Sequence, residues 1–229
     1  MKPEIDTVGV AIVEGACNAG SKDVAIDLSQ FGLAELLGET ALKEIPFIKG
    51  IVACFTVPLA IRDQLFLRKV AGFLAAVPDL TATERETFVA EHLADSKKAT
   101  KLGETLVLVL DRLDDMEKPP MIARVFAAFV RGKISFDVFR RLAAAIDLGA
   151  VDDLKEFVKI QPGASPQRRG ADQNTQTLRT NLTRTGLVSL PAYHGTAPML
   201  GVTFRENQLG KVFREIMNEG QTSLHSQAE

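Results

Sequence analysis

The sequence predicts a mainly α-helical chain: a multi-helix bundle followed by a small helix, β-hairpin, helix segment. Three observations predict it. Apolar residues recur at spacings of three and four from about residue 63 to residue 159, as helices with one buried face require. Pro, Gly and capping residues punctuate those runs where helices must stop and start. A polar stretch with two Pro and two Gly, residues 161–175, separates them from a shorter tail that reads helix, strand, strand, helix. We therefore expect a bundle domain over residues 1–160, a linker or long loop over 161–175, the helix-hairpin-helix segment over 176–220 and a flexible tail over 221–229.

Taken in order, Val8 to Val13 reads as a short apolar strand running into a Gly-rich turn from Gly15 to Lys22. Residues 45–61 are the most apolar stretch, free of charge only from Gly50 to Ile61 and interrupted by Pro58. Crossing the hydrocarbon core of a bilayer takes about 20 apolar residues, so this stretch is expected in the protein core. Asp63 to Val77 carries Phe66, Val70, Phe73, Leu74 and Val77 on one helical face, and Pro78 stops it. Thr81 and Glu84 form a capping-box pair opening a helix to about Asp95, with Phe88, Val89 and Leu93 as its stripe. Lys97 to Asp115 follows, apolar nearly all round at Leu106 to Leu110, and is expected in the centre of the bundle. Pro119 and Pro120 start the next helix, with Ile122, Val125, Phe126 and Phe129, and Gly132 closes it. Ser135 caps a helix bearing Phe139, Leu142 and Ile146, which Gly149 ends, and Val151 to Lys159 is a short helix. Beyond the break, Thr175 to Thr185 reads as a helix ending at Gly186. Leu187 to Leu190 and Leu200 to Phe204 read as the hairpin, and Asn207 to Met217 as the last helix.

The residues that carry chemistry form no catalytic constellation. The apolar run ending in Asp111 and the Gly15 to Lys22 turn resemble parts of a phosphate-binding fold, but Ser21 precedes Lys22 where Lys should come first. Gly132 to Asp137 has the glycine spacing of a calcium loop, yet the ligand positions fall on Ala127, Phe129, Arg131 and Val138. The acidic groups Asp111, Asp114, Asp115 and Asp147, Asp152, Asp153 sit at helix ends beside Arg112, Lys118 and Lys155, where solvated charge is expected. His92, His194 and His225 share no ligand spacing with one another or with Cys17 and Cys54, and His92 is expected on a polar helix face. No cofactor, metal or catalytic residue is expected. Two distant Cys and an acidic N-terminus without a basic region point to a cytoplasmic setting.

Two resemblances follow from stretches of the chain. KEIPFIKGIV, IRDQLFLRKVAGFL, KLGETLVLVLDRLDDMEKPPMIARVFAAFVRGKISFDVFRRLAAAID and DDLKEF, over about residues 24–158, resemble an uncharacterised family of small bacterial helical proteins. TGLVSLP with GVTFRENQLGKVF is similar to the end of winged-helix domains, though two compact helices that should precede the third are missing. Neither resemblance assigns a catalytic residue.

Three functional classes are therefore expected, in order. The first is a non-enzymatic helical protein that acts on a protein partner or on its own copy. The second is a membrane-acting effector in which Phe47, Ile51, Val52 and Phe55 meet lipid or a partner. The third is a DNA-binding regulator, with Arg168, Arg169, Arg179 and Arg184 as its DNA contacts. A formal net charge of −2, and only 7 Lys/Arg against 5 Asp/Glu in residues 162–229, leave little charge for phosphates. The lack of Trp and the single Tyr argue against a lipid interface belt.

Overall fold

The computed structural model describes residues 5–18, 61–159, 173–189 and 205–225. Among these, nine α-helices and two two-residue strands account for the regular structure, with one π-helical turn, so the chain is mainly helical. It divides into two compact units, Met1–Phe139 and Arg140–Glu229. The boundary falls inside a helix, whereas most of the expected linker, residues 161–172, lies outside the described residues. Within those residues, no helix is long and apolar enough to cross a membrane.

In the first unit, α1 (Ile5–Cys17) lies along α4 (Ser96–Arg112). The expected strand at Val8 to Val13 is thus part of a helix. A short apolar run has no periodicity to separate a buried strand from a buried helix, and here Val8, Ala11, Ile12, Val13 and Ala16 are all buried at helical spacing. The two helices meet glycine to glycine. A Cβ on Gly103 would stand 2.6 Å from the carbonyl carbon of Gly9 and 2.7 Å from the nitrogen of Val10.

Helix α2 (Ile61–Ala76) packs on α5 (Lys118–Val130), where Pro119 lies beside Gly72, and Lys69 Nζ donates to the Asp111 carbonyl at 2.8 Å. Helix α3 (Ala82–Phe88) opens on the expected capping box. Thr81 N donates to Glu84 Oε2 at 2.8 Å and Glu84 N to Thr81 Oγ1 at 3.1 Å. It runs into a π-helical turn, Val89–Leu93, closed by the Ala94 N–H on the Val89 carbonyl at 3.0 Å. Val89, expected on the buried stripe, is exposed there, because the wide turn breaks the 3.6-residue register.

Helix α4 starts from Asp95, whose carboxylate accepts the N–H groups of Lys97 and Lys98. It does not occupy the centre of the bundle as expected. Leu102, Leu106 and Leu110 are buried, but Leu108 is 55% exposed, so this helix has one inward face. The central position belongs to α5, where every residue from Val125 to Val130 is at most 5% exposed. Gly132 ends α5 at φ +67°, a conformation free to glycine, with Lys133 N on the Ala128 carbonyl and Gly132 N on the Phe129 carbonyl, both at 2.9 Å. Helix α6 (Phe136–Leu148) follows, with Val138 N donating to Ser135 Oγ at 3.3 Å. Lys118, expected to be solvated, is 2% exposed, with Nζ 2.6 Å from Asp114 Oδ1. That contact holds the Asp114 carboxyl below the usual aspartate range.

In the second unit, α7 (Val151–Lys159) packs with α8 (Gln173–Thr185) and α9 (Gln208–His225). Asn181 Nδ2 donates to Asp153 Oδ2 at 2.8 Å, and Phe157 lies 6.2 Å from Phe213, ring to ring. Gly186 turns the chain at φ +76° into β1 (Val188–Ser189), which pairs antiparallel with β2 (Arg205–Glu206). The second strand thus includes Arg205 and Glu206, beyond the expected Leu200 to Phe204, and residues 190–204 lie outside the described ones. Asn207 caps α9 by accepting the Gly210 N–H at 2.9 Å, and that helix continues through residues 218–225, past the expected Met217. Arg214 is buried, with its guanidinium 4.7 Å from the Phe157 ring centre and Nε 3.1 Å from Glu206 Oε1.

Candidate functional site

The candidate site lies in the first unit, where the π-turn meets the start of α6. Phe88 and His92 stand four residues apart and project to the same side of their helix, ring centres 4.9 Å apart. Phe129, on the last turn of α5, is 4.8 Å from His92 and 5.3 Å from Phe88. Phe136, the first residue of α6, is 5.8 Å from Phe129. The Gly132 turn brings these last two together, since it reverses the chain within a few residues of the end of α5. The four rings border a groove of about 460 Å³ whose other walls are Thr83, Glu84, Thr87 and Glu91 on one side and Val130, Arg131, Gly132, Ile134 and Ser135 on the other.

Burial among the rings sets the chemistry of His92. It pushes the imidazole pKa below its ordinary value near 6.5, against the opposite pull of Glu91, whose Oε2 is 3.8 Å from His92 Nε2. The lowered value favours the neutral ring in the folded state. Its contribution to stability is therefore complete above the unfolded-state pKa and is lost as pH falls from about 6.5 through the folded one. Denaturant midpoints should fall between pH 7.5 and pH 5 by more in the wild type than in His92→Gln; equal slopes would contradict a buried neutral ring.

The charged walls are partly paired. Arg131 Nε lies 3.4 Å from Glu84 Oε1, and Arg131 Nη2 donates to the Asp79 carbonyl at 2.9 Å. The Glu84 carboxyl is held below its usual range first by the Thr81 backbone N–H it accepts. Glu91 is 67% exposed. Lys101 Nζ sits 6.0 Å from the centre of the Phe136 ring.

A second cavity of about 210 Å³ lies between the end of α1 and the α2–α3 connection, lined by Cys17, Asn18, Leu80 and Arg85 among others. Burial pushes the Cys17 thiol up to about 12, so it is not a thiolate nucleophile at neutral pH. Gly15 and Cys17 belong to a helix, not to the strand-to-loop connection that a phosphate-binding loop needs. The acidic groups weighed as metal ligands have local partners: Asp114 holds Lys118, Asp115 accepts Glu117 N at 2.7 Å, and Asp153 accepts Asn181.

Of the residues expected to contact other molecules, Phe47, Ile51, Val52, Phe55, Arg168 and Arg169 lie outside the described residues. Arg184 is exposed on α8; Arg179 is in the same helix, with its side chain outside what is described. Sequence reasoning missed the groove. The one signal for it was the i, i+4 pair Phe88 and His92, which the expectation of a polar face for His92 obscured. No family model, curated protein or solved structure matches this chain.

Proposed function

We propose that the chain is a non-enzymatic helical protein that works by binding another protein through the groove beside the π-turn. The observation that supports it is a concave site with aromatic residues at its base and polar residues on its walls, the composition of sites that receive a partner's anchoring side chain. A distinct partner is favoured over a second copy. The exposed large apolar residues among those described, Leu65, Val89, Leu108, Met116 and Leu148, are spread over five segments. Inserting one of them into the groove of a copy would be a head-to-tail contact, which builds filaments unless its rotation closes a ring. A cytoplasmic setting belongs to the same proposal and rests on the two isolated Cys.

Thr87 is exposed on the groove wall, so Thr87→Trp fills the groove without disturbing the core. A partner captured on the full chain, identified by mass spectrometry and then purified, should bind Thr87→Trp at least tenfold more weakly, with the unfolding midpoint unchanged. Equal affinities would overturn the proposal, and so would a dimer, seen by light scattering, that Thr87→Trp breaks.

A second reading takes residues 176–220 as winged-helix-like and DNA-binding. What supports it is the order helix, strand, strand, helix, with antiparallel pairing of Val188–Ser189 to Arg205–Glu206 and an exposed Arg184. Salt-sensitive binding to duplex DNA that weakens in Arg184→Ala would favour it over the first.

A further inference from the structure

We propose that His92 is a proton-operated cover on the aromatic floor of the groove. Neutral, it lies over Phe88 and Phe129; on taking up a proton it swings out toward Glu91 and water, and opens both rings to the groove. This rests on the groove reading above and adds its regulation, and the two are tested by different variants.

Burial identifies the cover. Phe88 and Phe129 line the groove, yet they are only 1% and 4% exposed. The His92 ring lies against both, 4.9 Å and 4.8 Å between centres, while its own side chain is 30% exposed. It therefore stands between those two rings and solvent. No residue of the π-turn Val89–Leu93 is buried, so the imidazole can turn outward by rotation about its own side-chain bonds.

The covered position suits a neutral ring and not a cation. Among the described residues no oxygen accepts a hydrogen bond from the imidazole, and Glu91 Oε2, 3.8 Å from Nε2, is too far for one. A proton gives the ring a charge and a second N–H, which water outside the cluster solvates and two phenyl rings do not. Attraction to the phenyl faces offsets part of the cost of the charge but supplies no acceptor for either N–H.

Burial among the rings accordingly holds the imidazole pKa below its ordinary value near 6.5, with Glu91 drawing it up and Lys98 of α4 pressing it down. The other charged groups at the site face elsewhere. Glu84 of α3 meets Arg131 at the end of α5, Lys133 acts on Glu84, and Lys101 of α4 lies over the Phe136 ring. Whatever lowers the pKa in the covered position favours the uncovered one by the same factor once the proton is bound. The cover is thus shut above the ordinary histidine range and opens as pH falls below it.

The test uses the full chain with isotope-labelled Phe rings and a neutral gadolinium chelate as the probe of accessibility, read by NMR at about pH 7.5 and about pH 5. Relaxation enhancement at the Phe88 and Phe129 ring protons should rise about threefold or more in acid, while Phe126, fully buried behind them, stays shielded. In His92→Gln, whose amide does not titrate, the enhancement at Phe88 and Phe129 should be the same at both pH values. Phe88 and Phe129 still shielded in acid would overturn the cover. So would a parallel rise at Phe126, which would mark general loosening, or an equal rise in His92→Gln. None of these results bears on Thr87→Trp and the captured partner, so the groove reading stands or falls separately.

Discussion

Gly103→Ala should lower the unfolding midpoint of the chain by roughly 6–12 °C, the equivalent of about 3 kcal/mol or more in a protein of this size. The direction is opposite to what helix propensity predicts, since Ala is favoured over Gly inside a helix by about 1 kcal/mol. The cause is the crossing of α1 and α4. A Cβ at Gly103 would lie 2.6 Å from the Gly9 carbonyl carbon and 2.9 Å from its Cα, far inside van der Waals contact. The obstacle is backbone on both sides, so no rotamer can relieve it and the helices must part. Separation strips Val8, Ile12, Leu102 and Leu106 of their packing. Gly72→Ala is the matched control, because its Cβ would meet only Pro119 Cβ at 3.7 Å, an ordinary contact. It should be neutral or stabilising by up to about 1 kcal/mol. Thermal melts by far-UV circular dichroism should therefore show a fall for Gly103→Ala and no change or a rise for Gly72→Ala; a rise in both would show that propensity, not the crossing, governs position 103.

That crossing marks the limit of what the sequence revealed. Helix ends were legible where local chemistry determines them. Thr81 and Glu84 form their reciprocal cap, Gly132 and Gly186 take positive φ, and Val151 and Lys159 bound a helix as expected. Each of these depends on a few neighbouring residues, so a linear reading suffices. Which faces are buried depends on partners far along the chain. The run Leu106 to Leu110 looked uniformly apolar, yet α4 buries Leu106 and Leu110 and leaves Leu108 out, because α1 covers only one side of it. Val8 to Val13 looked like a strand because it is a short apolar run ahead of a Gly-rich turn, too short to show a helical period. Gly9 lies within it. Its reason for being Gly is the contact with Gly103, ninety-odd positions away.

The groove was illegible for a related reason. Its rings come from a π-turn, the end of α5 and the start of α6. In sequence, Phe88 and Phe129 each fill a place in a separate apolar stripe, which is how core residues look, and Phe136 stands directly after the capping Ser135. The π-turn adds a residue to one helical turn without a distinctive sequence mark. Lys118 misled in the same way. A Lys four residues after an Asp ordinarily signals a solvated pair, but Pro119 and the packing of α5 bury it.

Phe126→Ala should have the other large effect, a loss of about 3–5 kcal/mol, enough to consume much of the stability of a typical domain. Phe126 is fully buried and stands edge-on to four rings: Phe73 at 5.5 Å, Phe88 at 5.9 Å, Phe139 at 6.0 Å and Phe129 at 6.4 Å. These belong to α2, α3, α5 and the first turn of α6, so a single side chain on α5 joins four helical segments of the first unit. Small shifts cannot close the space it would leave, because three of the neighbouring rings are themselves held by others: Phe88 by Phe129, Phe129 by Phe136, and Phe139 by Phe129 and Phe136. Phe126→Leu refills most of the volume and loses only the edge-to-face contacts, so it should cost less than half as much. The groove supplies a second readout. Phe126 lies outside it, yet packs directly behind Phe88 and Phe129. Loosening that support should weaken binding of the captured partner in Phe126→Leu at temperatures where the variant is still folded. Chemical denaturation of both variants, with titrations of the captured partner on Phe126→Leu, checks the two expectations. A Phe126→Ala loss below about 1 kcal/mol would mean that the rings are not mutually supporting.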